Sequence, residues 1–167
     1  MKSRTITAFA LVVFTIFWTT VVSADNPHYR KGPSAVDNGM TASATGTITG
    51  LGNGDVIITL SFPNATGTTV CTNKGGTQAP GQNPAAPVSV SGSQFVNNPK
   101  NGTLSFTVVT IAPADPTPQS AGCPNVKSWT AAFDNLTFGQ GTLTIQQETF
   151  QGSGVFVVVL TTNIYLG

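Results

Sequence analysis

From about residue 41 to the end of the chain, apolar residues recur at every second position, and Thr, Val, Ile and Phe dominate. No stretch carries a sustained 3.6-residue period, so helix is limited to a turn or two. Val56, Ile58, Leu60 and Phe62 share one face of a strand, and Ile57, Thr59 and Ser61 share the other. Leu104, Phe106 and Val108 repeat the pattern. This is the signature of antiparallel sheet buried on one side and wet on the other. It predicts strands at 41–49, 55–62, 68–73, 87–95, 103–111, 128–138, 142–150 and 155–164.

Turn chemistry separates these segments. Asn53-Gly54 stands between the first two strands and Asn101-Gly102 opens the fifth. Asn-Gly readily takes the positive φ values of tight hairpin turns. Gly139-Gln140-Gly141 and Gly152-Ser153-Gly154 punctuate the last three strands. The fold class that follows is all-β: an antiparallel β-sandwich of about eight strands, immunoglobulin-like or a related Greek key. A closed barrel is the alternative. The whole of 41–167 reads as one domain.

Two segments depart from simple alternation. Trp129, Ala131 and Phe133 share one parity, whereas Leu136 and Phe138 take the other, which predicts a bulge near Asp134-Asn135. The run from Val155 to Leu160 is apolar on both faces. It reads as a central strand covered on both sides. The other reading is self-association, or ligand contact, through an uncovered face.

Upstream of the domain the pattern changes. Lys2 and Arg4 precede an apolar run from Ala8 to Trp18, and Val22-Ser23-Ala24 places small residues at the last and third-last positions. This is the arrangement of a secretory signal, with cleavage expected after Ala24. The run is far shorter than the ~20 residues needed to cross a bilayer, so no membrane span is expected in the mature chain. Residues 25–40, including His28, Tyr29, Arg30, Lys31 and Pro33, show no apolar period and read as an irregular leader, with Tyr29 a tie to the domain.

Charge is sparse. Seven Lys and Arg face six Asp and Glu, the only Glu being Glu148, and all 18 Gly and 11 Pro fall after residue 24. Such a chain is neither a coiled coil nor a basic nucleic-acid binder. In an exported chain, Cys71 and Cys123 are expected to form one structural disulfide. A zinc site lacks ligands, because a single His accompanies the two Cys, and no Cys-x-x-Cys redox spacing occurs. No metal or other cofactor is expected.

Catalytic readings are thin. His28 is the only imidazole and lies in the leader. Asp134 and Glu148 would form a carboxylate pair only if they approached one another across a hairpin. Asn64, Asn101 and Asn135 head N-glycosylation acceptor patterns, which matter only in a glycosylating host. The most distinctive region is the loop after Cys71. Lys74, Gln78, Gln82 and Asn83 there, with Trp129 beyond Cys123, are the candidate binding residues. Amides donate and accept, suiting a sugar or a peptide strand, and Trp129 offers either a flat platform or core packing.

Gly50-Leu51-Gly52-Asn53-Gly54-Asp55, Cys71-Thr72-Asn73, Gly75-Gly76, Gln78-Ala79-Pro80-Gly81-Gln82-Asn83-Pro84, Cys123-Pro124-Asn125 and Trp129 resemble small exported bacterial proteins with no established activity. The resemblance spans roughly residues 46–146 and implies a bacterial, extracytoplasmic origin. It carries no catalytic residue. The expected function is a secreted, non-enzymatic binding, adhesion or surface module with an extracellular glycan or protein as partner. The alternatives are a protease inhibitor presenting loop 72–86 and, last, a carboxylate hydrolase.

Overall fold

The computed structural model describes residues 26–84 and 86–167. The apolar run and cleavage position of the expected export signal lie outside the described residues. Nine strands follow in order: β1 His28–Asp37, β2 Ala42–Thr49, β3 Val56–Asn73, β4 Gln78–Pro80, β5 Val88–Val96, β6 Leu104–Val109, β7 Trp129–Thr137, β8 Gly139–Glu148 and β9 Phe156–Leu166. All pairings are antiparallel. One sheet has the order β1-β2-β6; the other runs β4-β3-β8-β9, with β5 and β7 also paired to β3. Among the described residues no helix is long and apolar enough to cross a membrane.

The two sheets face each other across one core. Val56, Ile58, Leu60 and Phe62 of β3, Leu143 and Ile145 of β8, and Ile48 of β2 are fully buried there. Each such side chain contributes about 1.5–3 kcal/mol by leaving water. Phe62 meets Phe138 edge to face, with ring centroids 5.1 Å apart. At one side the sheets nearly merge. The Ile111 N–H donates to the Ser91 carbonyl at 2.9 Å, and β5 approaches β6 at Gly92.

Strand β3 organises the large sheet. It is 18 residues long and passes without a break through Pro63-Asn64, where two strands were expected. Pro63 fits because the pairing with β5 shifts register between Phe62 and Ala65, and a proline is tolerated at such an irregularity. Along the opposite edge, β7 and β8 lie end to end. Thr66 faces Thr137 and Ser61 faces Thr142 in the same register, so Gly139, at φ +64°, joins two parts of one line. The expected bulge is present: Thr68 pairs with Asn135 and Thr69 with Phe133, leaving Asp134 as the extra residue.

Four further expectations need correction. Residues 28–37 are not an irregular leader but strand β1, paired to β2 with two register shifts. Its polar sequence conceals it because an edge strand this exposed needs no apolar face. Asn53-Gly54 and Asn101-Gly102 do not close hairpins. The strands that flank each lie in different sheets, and the turns carry the chain between layers. The segments at 128–138 and 142–150 are not a hairpin, because β7 and β8 lie end to end along β3 instead of beside one another. Finally, β9 is not central: it pairs only with β8 and forms the edge of its sheet.

Candidate functional site

The outer half of β3, beyond Ala65, leaves the sandwich and forms an arm with β4 on one side and β7 on the other. One face of the arm is closed. Cys71 is bonded to Cys123 with an S–S distance of 2.06 Å and a Cα–Cα distance of 5.6 Å. Around this link Ala121, Ala131 and the half-buried Trp129 form a second small core, separate from the main one. The link closes a 52-residue separation, worth about 4 kcal/mol on the chain-entropy argument. It fastens the segment that follows Pro113 onto the back of the arm.

The other face is open. A hollow of about 420 Å³ lies there, lined by Thr68, Val70, Gln78, Pro80 and Asp134, together with Thr69 and Ala79. Strand alternation explains the grouping. Val70 pairs with Pro80 across one edge of β3 and with Ala132 across the other, so these side chains point away from the disulfide. Gln78 enters from β4, opposite Thr72. The bulge swings Asp134 in from β7. The hollow thus has an apolar floor, a carboxylate at one wall and a primary amide at the other.

A second hollow of about 260 Å³ adjoins it where β4 has ended and β5 has not begun. Gly67 and Thr68 form one side and Pro80 to Pro84 the other. Gly81 anchors this loop, its N–H donating to the Thr69 carbonyl at 2.8 Å. A Cβ at Gly81 would overlap the Thr69 hydroxyl, so only glycine permits the approach.

The structure separates the five residues expected to bind. Gln78 lines the first hollow, and Gln82 and Asn83 line the second. The Gln82 amide donates to the Pro80 carbonyl at 3.2 Å, and the Asn83 amide to the Ser120 carbonyl at 3.3 Å, so both largely hold their own loop. Lys74 is exposed at the tip of the β3–β4 turn, which Asn73 shapes by accepting from the N–H groups of Gly75 and Thr77, each at 2.9 Å. Trp129 sits on the closed face against the disulfide and offers no platform to the hollow. Nothing in the sequence alone singles out Thr68, Val70 or Pro80. Asp134 stands out there only as an acid, although the bulge that aims it is visible in the pattern.

The carboxylate pair does not exist. Asp134 lies beside Thr68, while Glu148 lies beside Asp55, whose carbonyl accepts from the Glu148 N–H at 2.8 Å. The extended chain from Asp55 to Thr68 separates those points by about 40 Å at the rise of a strand. Glu148 instead staples the β8–β9 turn. Its carboxylate accepts from the N–H of Gly154 at 2.6 Å, Gly152 at 3.0 Å and Asp55 at 3.4 Å. These bonds, that of Gly154 foremost, hold its pKa below the ordinary Glu value despite partial desolvation. His28 is exposed at the start of β1 and hydrogen-bonds the Asn26 carbonyl. No group of three His, Cys, Asp or Glu side chains able to hold a metal occurs among the described residues.

Comparison with known proteins adds no relative: no family model, no curated protein and no solved structure matches this chain.

Proposed function

We propose that this is an exported, non-enzymatic binding module of the cell exterior that takes a neutral saccharide in the open face of its disulfide-backed arm. The observation that carries the reading is the placement of Gln78 and Asp134 on opposite walls of the hollow over Val70 and Pro80. A carboxylate accepts from sugar hydroxyls, an amide both donates and accepts, and a small apolar floor takes the C–H face of a ring. A disulfide that persists suits an oxidising compartment outside the cytosol. The distance between Asp134 and Glu148 removes the hydrolase alternative's acid pair.

The inhibitor alternative is less well supported. Gln78 to Pro80 are already paired in the sheet as β4, and Asn83 ties the following loop inward. Among the described residues of 72–86, little remains as a free extended strand to offer a protease.

A glycan array probed with the purified protein and with its Gln78→Ala and Asp134→Ala variants tests the reading. Retention of wild type on neutral glycans, lost by at least tenfold in both variants, is the expected result. No retention, or retention indifferent to both substitutions, overturns it. A parallel protein array would reveal a protein partner in its place.

A further inference from the structure

We propose that β9 is a self-association edge, through which two copies of this chain pair antiparallel about a two-fold axis at Val157. Edge strands in soluble proteins ordinarily carry a Lys, a Pro, an inward charge or a bulge that hinders pairing with another chain, and of these β9 has only the bulge at Val159. Residues 149–167 contain no charged residue and no Pro. Among the described residues, the β9 backbone pairs with β8 alone, leaving its other row of N–H and C=O groups without a partner. At its start the exposed side chains are apolar, Val155 being 57 % exposed, Val157 46 % and Val158 58 %, while Thr161 and Asn163 are exposed further along.

A row of free backbone donors and acceptors asks for a strand, and the segment Val155-Phe156-Val157-Val158-Val159 is suited to its own copy. Opposed residues in an antiparallel pair must point to the same face. The register of β9 on β8 skips Val159, Ile145 pairing with Leu160 and Gln146 with Val158. Phe156 and Val158 therefore share the outer face, while Val155, Val157 and the bulged Val159 turn the other way. With the axis at Val157, Phe156 opposes Val158 of the other copy, Val155 opposes Val159, and Val157 opposes itself. An aromatic facing a β-branched residue is among the favourable cross-strand pairs.

Two further observations set the extent of the pairing. Tyr29 of β1 accepts a hydrogen bond from Thr162 at 3.1 Å, so the other sheet closes on the later half of β9; Val159 packs against the core, while Val155, Val157 and Val158 stay exposed. The chain's formal net charge is only +1, so two copies meet without appreciable repulsion. The two-fold arrangement is closed and consumes both edges, giving a dimer instead of a fibre.

Light scattering across a concentration series, with Val157→Cys, Asn163→Cys and Val158→Lys variants, tests this edge independently of the saccharide reading. Twice the chain mass is expected at high concentration. With Cys71 and Cys123 already bonded, Val157→Cys should cross-link under mild oxidation, because opposed Cα atoms in such a pair lie about 4.5–5.5 Å apart. Asn163→Cys should not cross-link, and Val158→Lys, a substitution at an exposed position, should raise the dissociation constant at least tenfold. A monomer at every concentration overturns the proposal, as does an oligomer that Val157→Cys fails to trap. Slow hydrogen exchange of β9 amides in a strict monomer would assign the edge to another part of the chain and overturn it equally.

Discussion

The backbone of Gly92 on β5 lies directly against the carbonyl of Val109 on β6, on the side where the two sheets nearly merge. A Cβ at residue 92 would overlap that carbonyl oxygen, and both partners are main chain, so neither yields by changing a rotamer. Gly92→Ala is therefore expected to cost about 3 kcal/mol, the upper part of the range for overpacking. A urea midpoint unchanged from wild type would show that the sheets separate there more freely than the packing implies.

The disulfide is expected to stabilise the arm and not the main core. Replacing Cys71 and Cys123 by Ala together should cost about 2–5 kcal/mol. Hydrogen exchange should show 66–73 and 129–137 losing protection first, while 56–62 keep theirs until global unfolding. Uniform loss across all three segments would mean that arm and sandwich unfold as one unit.

Glu148 sets the acid limb. Its folded pKa lies below its unfolded one, so its contribution to stability is complete above the ordinary Glu value of about 4.3 and is lost as pH falls through the lower, folded value. Urea midpoints taken from neutral pH downwards should fall over that acid window in wild type, with a smaller fall in Glu148→Gln. The variant should also be less stable at neutral pH, because a neutral amide makes weaker bonds to the N–H groups of Gly152 and Gly154. Parallel acid limbs in the two proteins would contradict this.

Tyr29 gives the alkaline counterpart. Burial raises its phenol pKa, against the opposing hydrogen bond from Thr162. A raised folded value means that this contribution is full below the ordinary Tyr value of about 10 and is lost as pH rises through the folded value. Tyr29→Phe should cost about 1 kcal/mol near neutral pH through the lost bond and should flatten the alkaline limb. Absorbance titration of the phenols alongside urea midpoints checks both parts.

The core strands are readable in the sequence because each has one dry face. Val56 to Phe62 and Leu104 to Val108 alternate for that reason alone, their inward residues all buried. The bulge at Asp134 is equally legible, since one extra residue exchanges faces and Trp129 and Leu136 then differ in parity. Neighbours are not legible. Period-two alternation tells which side of a strand is dry and nothing about which strand lies beside it. Thus β7 and β8 read as a hairpin when they form one line along β3, and Pro63-Asn64 reads as a break when it is an irregularity in a continuous strand. β1 escapes notice because only Tyr29 and Ala35 of it pack against the core, too few apolar residues to set an alternation, and β9 reads as central because its exposed edge is apolar. The hollow is only half legible. Gln78 stands out by its loop, but Thr68, Val70 and Pro80 join it solely through the pairing of β3 with β4 and β7.

Whether this chain holds a ligand in the arm without transforming it is tested by an NMR titration of the isotope-labelled protein with neutral cello-, xylo- and chito-oligosaccharides. Mass analysis of each sugar after incubation completes it. The expected result is saturable shifts confined to the amides around Thr68, Val70, Gln78 and Asp134, with the sugar recovered unchanged. Shifts that avoid this face, or a sugar cleaved or otherwise modified, would contradict the account.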